Sequence, residues 1–151
     1  MRPFRPRGSA SSPSLGSINA DTIRRAEEAV SKLASQYRDW VRGDLTKLRA
    51  CLAAAQSGDE ARIAAYKDIR GLAHDLRGQG TTFGYPLITR IAQSISQTLK
   101  DPQPGVETDR RLDAHVEAIA AVVEEDVSGT DSAAATAIMA GLEAAIGRRV
   151  A

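Results

Sequence analysis

DEARIAAYKDIRGLAHDLRGQG, residues 59–80, sets Ile63, Tyr66, Ile69, Leu72 and Leu76 at spacings of three and four, the period of one face of an α-helix. Ser57-Gly58-Asp59 just before it reads as a stop and a fresh N-cap, and the helix ends within Gly78-Gln79-Gly80. Upstream, Asn19 or Asp21 caps an earlier stripe of Ile23, Ala26, Val30, Leu33, Tyr37 and Trp40. The stripe continues past Gly43 as Leu45, Leu48, Leu52 and Ala55. One long helix weakened at Gly43 and two helices meeting there both fit; the long helix is the reading adopted. Downstream, Leu87, Ile88, Ile91, Ile95 and Leu99 form a third stripe, closed by Asp101-Pro102-Gln103-Pro104-Gly105. A fourth runs from about Thr108 to Val127 through Leu112, Val116, Ile119 and Val123. A fifth, about Asp131 to Arg149, carries Ile138, Leu142 and Ile146, with Arg148 and Arg149 in its last turn, where cations suit the helix dipole. No stretch has the period of a strand. The expected fold is all-α: an antiparallel up-and-down four-helix bundle with a long N-terminal helix, an additional C-terminal helix, and these stripes as its core.

The chain's 151 residues suit one helical domain, here residues 19–151, and are too few for a catalytic domain plus a separate regulatory one. Twenty Lys+Arg against 19 Asp+Glu leave a net charge of +1, which argues against binding nucleic acid or a membrane by bulk charge. One cysteine, Cys51, makes no intrachain disulfide, and two histidines are too few for a zinc set, so no metal is expected and a reduced, cytoplasmic protein is the default. No apolar run approaches the roughly 20 residues of a membrane span. Residues 1–18 are rich in Arg and Ser and hold no acid, as in an organellar transit peptide, but three prolines there oppose an amphipathic helix; a disordered tail is expected. Arginine outnumbers lysine 16 to 4, which with the abundant alanine hints at a GC-rich bacterial genome.

At about 100° per residue, His74 lies about 140° from Ile69 and about 160° from Leu72 and Leu76, so it points to solvent. Lys67, Arg70, Gly71, Arg77, Gly78 and Thr81 fall within about 60° of its direction. Each mid-helix glycine costs roughly 1 kcal/mol relative to alanine, so something other than helix stability selects this pair. Glycines beside an imidazole clear space for another protein to bring an atom into line with it. The cations suit a group that becomes anionic, as a phosphorylated imidazole does. The pattern makes His74 a nucleophile expected to accept a phosphoryl group at Nε2, with positioning and charge stabilisation as the main work.

Ala73-His74-Asp75-Leu76-Arg77-Gly78-Gln79-Gly80-Thr81-Thr82-Phe83-Gly84 resembles the signature A-H-x-L-[KR]-G-x-[AGS]-x-x-[FLV]-G of histidine-containing phosphotransfer (HPt) domains. With the flanking helices the resemblance covers about residues 37–127. It implies that His74 is the phosphoacceptor and exchanges phosphoryl groups with the aspartate of response-regulator receiver domains, with a hybrid sensor kinase as a further partner. Arg77 then steadies the phosphoryl group, Gly78 gives clearance, and Mg²⁺ belongs to the receiver, so this chain is expected to carry no cofactor. Arg77 stands where lysine is commoner, a fork in place of a point charge. Gln79 stands where many members have a small residue, and adds a contact or shields the site. Many members also set a polar side chain of the next helix against the imidazole; Ser96 and Gln93 are the candidates here.

His115 lies beside the fourth stripe and reads as a rim residue; Cys51 reads as a small buried hydrophobe. Tyr37, Trp40 and Tyr66 read as packing residues, with Tyr66 also placed to flank a docking surface. Gly78–Gly84 follows a helix and lacks a downstream Lys-Ser/Thr, so it is no nucleotide loop. Glu124-Glu125-Asp126 reads as a solvated helix end that frays near Gly129. His74-Asp75-Leu76-Arg77 also resembles a sensor-kinase H-box, but the residues after Gly84 hold no ATP-binding boxes, so no autokinase activity is expected. The other alternative is a helical adaptor that binds receiver or kinase domains without phosphotransfer. Docking is expected on the His74 face and on Arg90, Gln93 and Gln97. The chain is read as a monomer or, through the near-heptad N-terminal stripe, a weak dimer.

Overall fold

Asn19 opens the first helix: its Oδ1 accepts a hydrogen bond from the Thr22 N–H at 2.8 Å. The computed structural model describes residues 19–151, so the expected tail over residues 1–18 lies outside the described residues. Five helices follow: α1 (Ala20–Ala55), α2 (Asp59–Gln79), α3 (Pro86–Thr98), α4 (Val106–Glu124) and α5 (Ala133–Ile146). No strand occurs among the described residues. The all-α expectation holds, and α1 runs unbroken through Gly43. None of these helices is long and apolar enough to cross a membrane.

Two compact units are distinguished, one up to Leu33 and one spanning Ala34–Ala151. In the first, Ile23, Val30 and Leu33 are exposed, so this half of the expected stripe is not core. Helical spacing defines a face, but only an element lying against that face buries it.

In the second unit the buried stripe of α1 is Tyr37, Val41, Leu45, Leu48, Leu52 and Ala55. Its residues Tyr37 to Leu52 join one core cluster with Ile69 and Leu76 of α2, Ile88 and Ile95 of α3, Ile119 of α4 and Leu142 of α5. α2 packs on α3, α3 on α4, and α4 on α5. Polar contacts give the directions. Arg42 meets Glu124 at 3.4 Å, Arg49 meets Glu117 at 3.4 Å, and Gln56 donates to Asp109 at 3.0 Å, so numbers rise along α1 as they fall along α4. Arg70 meets Leu99, and Arg77 meets Thr89, so α2 and α3 are likewise antiparallel. The exposed ion pairs each contribute at most about 1 kcal/mol and report register more than they supply stability.

Several side chains depart from the expected pattern. Ile63 is 60% exposed and Trp40 56%, although both lie on apolar stripes. Trp40 meets the edge of Phe83 with its ring centroid 5.9 Å away, which leaves most of the indole in water. Asp59 does not cap α2; Gly58 holds that position and no side chain caps it. The end of α4 is tied down: Asp126 takes a left-handed backbone (φ 51°) and accepts hydrogen bonds from Tyr85 at 2.6 Å and Arg38 at 3.1 Å. At α4's first turn, Asp109 is buried and accepts from Arg62, Tyr66 and Gln56. Burial alone would raise its carboxyl, but these donors outweigh it and hold the pKa below the ordinary value.

His115 is the clearest correction, because it is fully buried. Its Nδ1 lies 2.7 Å from the Arg111 carbonyl, which only accepts, so Nδ1 carries the proton and Nε2 accepts from Ser94 Oγ at 2.7 Å. The Ser94 oxygen in turn accepts from Arg148 at 3.0 Å. α5 ends at Ile146, with Gly147 left-handed at φ 74°, so Arg148 lies past the last turn and reaches α3 instead of the α5 dipole.

Burial pushes the His115 pKa from 6.5 down to about 4; the Nδ1 hydrogen bond opposes this and the nearby Arg148 charge reinforces it. The folded pKa is below the unfolded one, so the contribution is complete above about pH 6.5 and is lost as pH falls to about 4. We expect about 3 kcal/mol of stability to disappear across that window from this group. Urea unfolding at a series of pH values should show it, as a slope that is smaller in His115→Gln than in the unsubstituted chain.

Candidate functional site

The second half of α2 divides by rotation. Ala73 and Leu76 are fully buried, and between and after them His74, Asp75, Arg77, Gly78 and Gln79 are exposed. The turn that follows is anchored at every step. Gly80 N–H donates to Leu76 O at 3.0 Å, Tyr85 N–H to Gly80 O at 2.8 Å, and Thr81 N–H to Thr89 Oγ1 at 2.9 Å. Thr89 Oγ1 donates to Arg77 O at 3.3 Å, which fixes the end of α2 against the first turns of α3. A Cβ on Gly80 would stand 2.5 Å from Thr89 Oγ1, 2.8 Å from Thr89 N and 2.9 Å from Tyr85 O. Gly84 sits at φ 88°, a conformation glycine adopts without strain. Phe83 stacks on Tyr37 with centroids 4.8 Å apart, and this ties the turn to α1.

Gly71 and Gly78 differ from Gly80. A Cβ on either would meet nothing within 4 Å, so neither is required by packing. Gly43 and Gly141 are equally open, so open space alone marks no site. What sets Gly71 and Gly78 apart is that they flank one exposed histidine by a turn on each side. Alanine there should stabilise the helix, by about 1 kcal/mol at Gly71 and about half that near the helix end at Gly78. Thermal unfolding of the two variants measures this.

A groove of about 740 Å³ runs between α2 and α3. Arg70 and Arg77 form one side, and Gln93, Ser96, Gln97 and Lys100 the other. Five of the residues marked in the sequence, Arg70, Arg77, Gln93, Ser96 and Gln97, are therefore brought together. The cations are not equivalent. Arg70 donates to Leu99 O at 2.7 Å and helps cap α3, whereas the Arg77 and Lys100 side chains form no hydrogen bond among the described residues. Lys67 and Gly71 lie elsewhere, in a smaller depression of about 460 Å³ shared with Lys47, Cys51, Asp68 and Asp75. His74 lines neither depression, and its exposed imidazole stands on α2, whose residues contribute to both. Gln79 is exposed and lines neither of them.

The half-buried Cys51 thiol is pushed up by burial and then by Asp68, which keeps it protonated and poorly nucleophilic. Sequence reasoning missed Thr89, whose hydroxyl sets the α2–α3 register; a threonine in the first turns of a helix gives no such signal. It also missed that Arg90 turns toward the segment after α5, donating to Val150 O and Ala151 O at 3.2 and 3.1 Å. Set against protein-family models, curated proteins and solved structures, the chain matches none of them.

Proposed function

We propose that this protein is a phosphorelay intermediate in which His74 accepts and donates a phosphoryl group in exchange with the aspartate of receiver domains. One observation carries the reading. Within Ala73–Gly84, internal packing accounts for Ala73, Leu76, Gly80, Phe83 and Gly84, through burial, a close approach, an aromatic stack and a positive φ. It does not account for His74, Asp75, Arg77, Gly78, Gln79 and Thr82, which are exposed. The resemblance to HPt domains assigns its chemistry to three of these, His74, Arg77 and Gly78. The antiparallel pairings of α1 with α4 and α2 with α3 support an HPt-like four-helix arrangement, with α5 as an addition.

The step balances on this chain's side with one nucleophile. The Nε2 lone pair attacks the phosphorus of the aspartyl phosphate, the Nε2–P bond forms, and the bond from phosphorus to the aspartyl oxygen breaks. The leaving carboxylate keeps the electron pair, and Nδ1 keeps its proton during the step. Arg77 stands one turn from His74 and offers a fork of donors to the phosphoryl oxygens. A Mg²⁺ held by the receiver would supply further charge neutralisation for the phosphoryl group.

The test is incubation with receiver domains phosphorylated by acetyl phosphate. The expected product is an acid-labile, base-stable label on His74. ATP alone should give none, and labelling by ATP alone points to a kinase. Binding of receivers without any label points to the adaptor. In the same assay Gly78→Val is expected to slow transfer at least about tenfold through lost clearance.

A further inference from the structure

Resting on the proposed relay role, we infer that the segment Gly147–Ala151 forms a third wall of the docking face beside His74, and that Arg90 is its latch. After the left-handed Gly147 the chain does not leave the surface of α3. Arg148 donates to Ser94 O, Ser94 Oγ and Thr98 Oγ1 at 3.0, 3.0 and 2.9 Å. Two residues on, Val150 is buried in the core cluster, and its N–H donates to Glu143 at 2.8 Å. Arg90 then holds the Val150 and Ala151 main-chain oxygens. The contacts move from Thr98 and Ser94 to Arg90 as the segment advances, so it runs antiparallel to α3.

This course carries Ala151 into the same groove that Arg77, Gln93 and Gln97 line. Arg70 faces Leu99 and Arg77 faces Thr89, so His74 is level with the middle of α3, the part the segment crosses. A receiver covering His74 and the groove therefore meets the strap as well as the two helices. The groove is lined by Arg70, Arg77 and Lys100 with no acidic side chain, which suits the carboxylate-lined rim of a receiver's phosphorylation pocket. The strap is thus a specificity-determining surface that acts on docking and leaves the chemistry at the imidazole alone.

Two variants of the full chain test this. Arg90→Ala removes the latch, and Ala151→Glu sets an acid in the groove. Transfer from a phosphorylated receiver is measured over a range of receiver concentrations, with thermal unfolding as a check on folding. Each variant should raise the half-saturating receiver concentration about fivefold, with the rate at saturation within about twofold. Half-saturation unchanged in both variants, or a lower saturated rate alone, overturns the strap assignment while the relay reading stands. If the unsubstituted chain takes no label from any receiver, the relay reading itself fails and this inference falls with it.

Discussion

His74→Gln is expected to take no phosphoryl group from any receiver domain, a loss of more than about 10³-fold in rate, because an amide nitrogen offers no free lone pair to phosphorus. The same substitution should alter stability by less than about 0.5 kcal/mol, since the imidazole is exposed and the fold makes no demand on it. Receiver binding should survive, weakened only slightly. This combination separates a relay from an adaptor: an adaptor loses nothing measurable, whereas a relay loses the label and keeps the complex. Labelling rates and a binding isotherm on one preparation read both.

The second large effect lies two residues beyond Gly78. Gly80→Val should cost about 3 to 4 kcal/mol, read as a lower denaturant midpoint with unchanged slope. Its Cβ would press on Thr89 N and Tyr85 O at 2.8 and 2.9 Å, and main-chain atoms held by their own hydrogen bonds yield little. Gly78→Ala should do the opposite and stabilise slightly. Three glycines one letter apart in kind thus serve different ends: Gly80 lets α2 approach α3, Gly84 turns the chain, and Gly78 leaves room outside.

Much of this was legible in the sequence, because helical periodicity and capping are local. The stripes of α3 and α4 are buried as the spacing requires, Asn19 caps α1, and rotation by 100° per residue put His74 on the surface before any packing was known. What escaped the sequence depends on partners distant along the chain. His115 looked like a rim residue because Ser94, which satisfies its Nε2, comes from another helix. Trp40 and Ile63 looked buried because a stripe gives the direction of a side chain without saying whether a neighbour reaches it. Arg70 looked free until Leu99 O took up its guanidinium, so the cationic cluster around His74 is smaller than residue types alone imply. Ser96 and Gln93 could not be placed by counting, since the register of α3 against α2 is set by Thr89.

The pairing of α1 with α4 also bears on the order of assembly. α2 and α3 meet across a short turn, whereas Arg49–Glu117 and Arg38–Asp126 join residues 68 and 88 positions apart. Closing a loop of that length costs entropy before its contacts repay it, so docking of α1 belongs late on the folding path and the α2–α3 hairpin early. The face that carries His74 is then built from the fast, local part of the chain, and substitutions at the α1–α4 seam should change the unfolding rate far more than the folding rate.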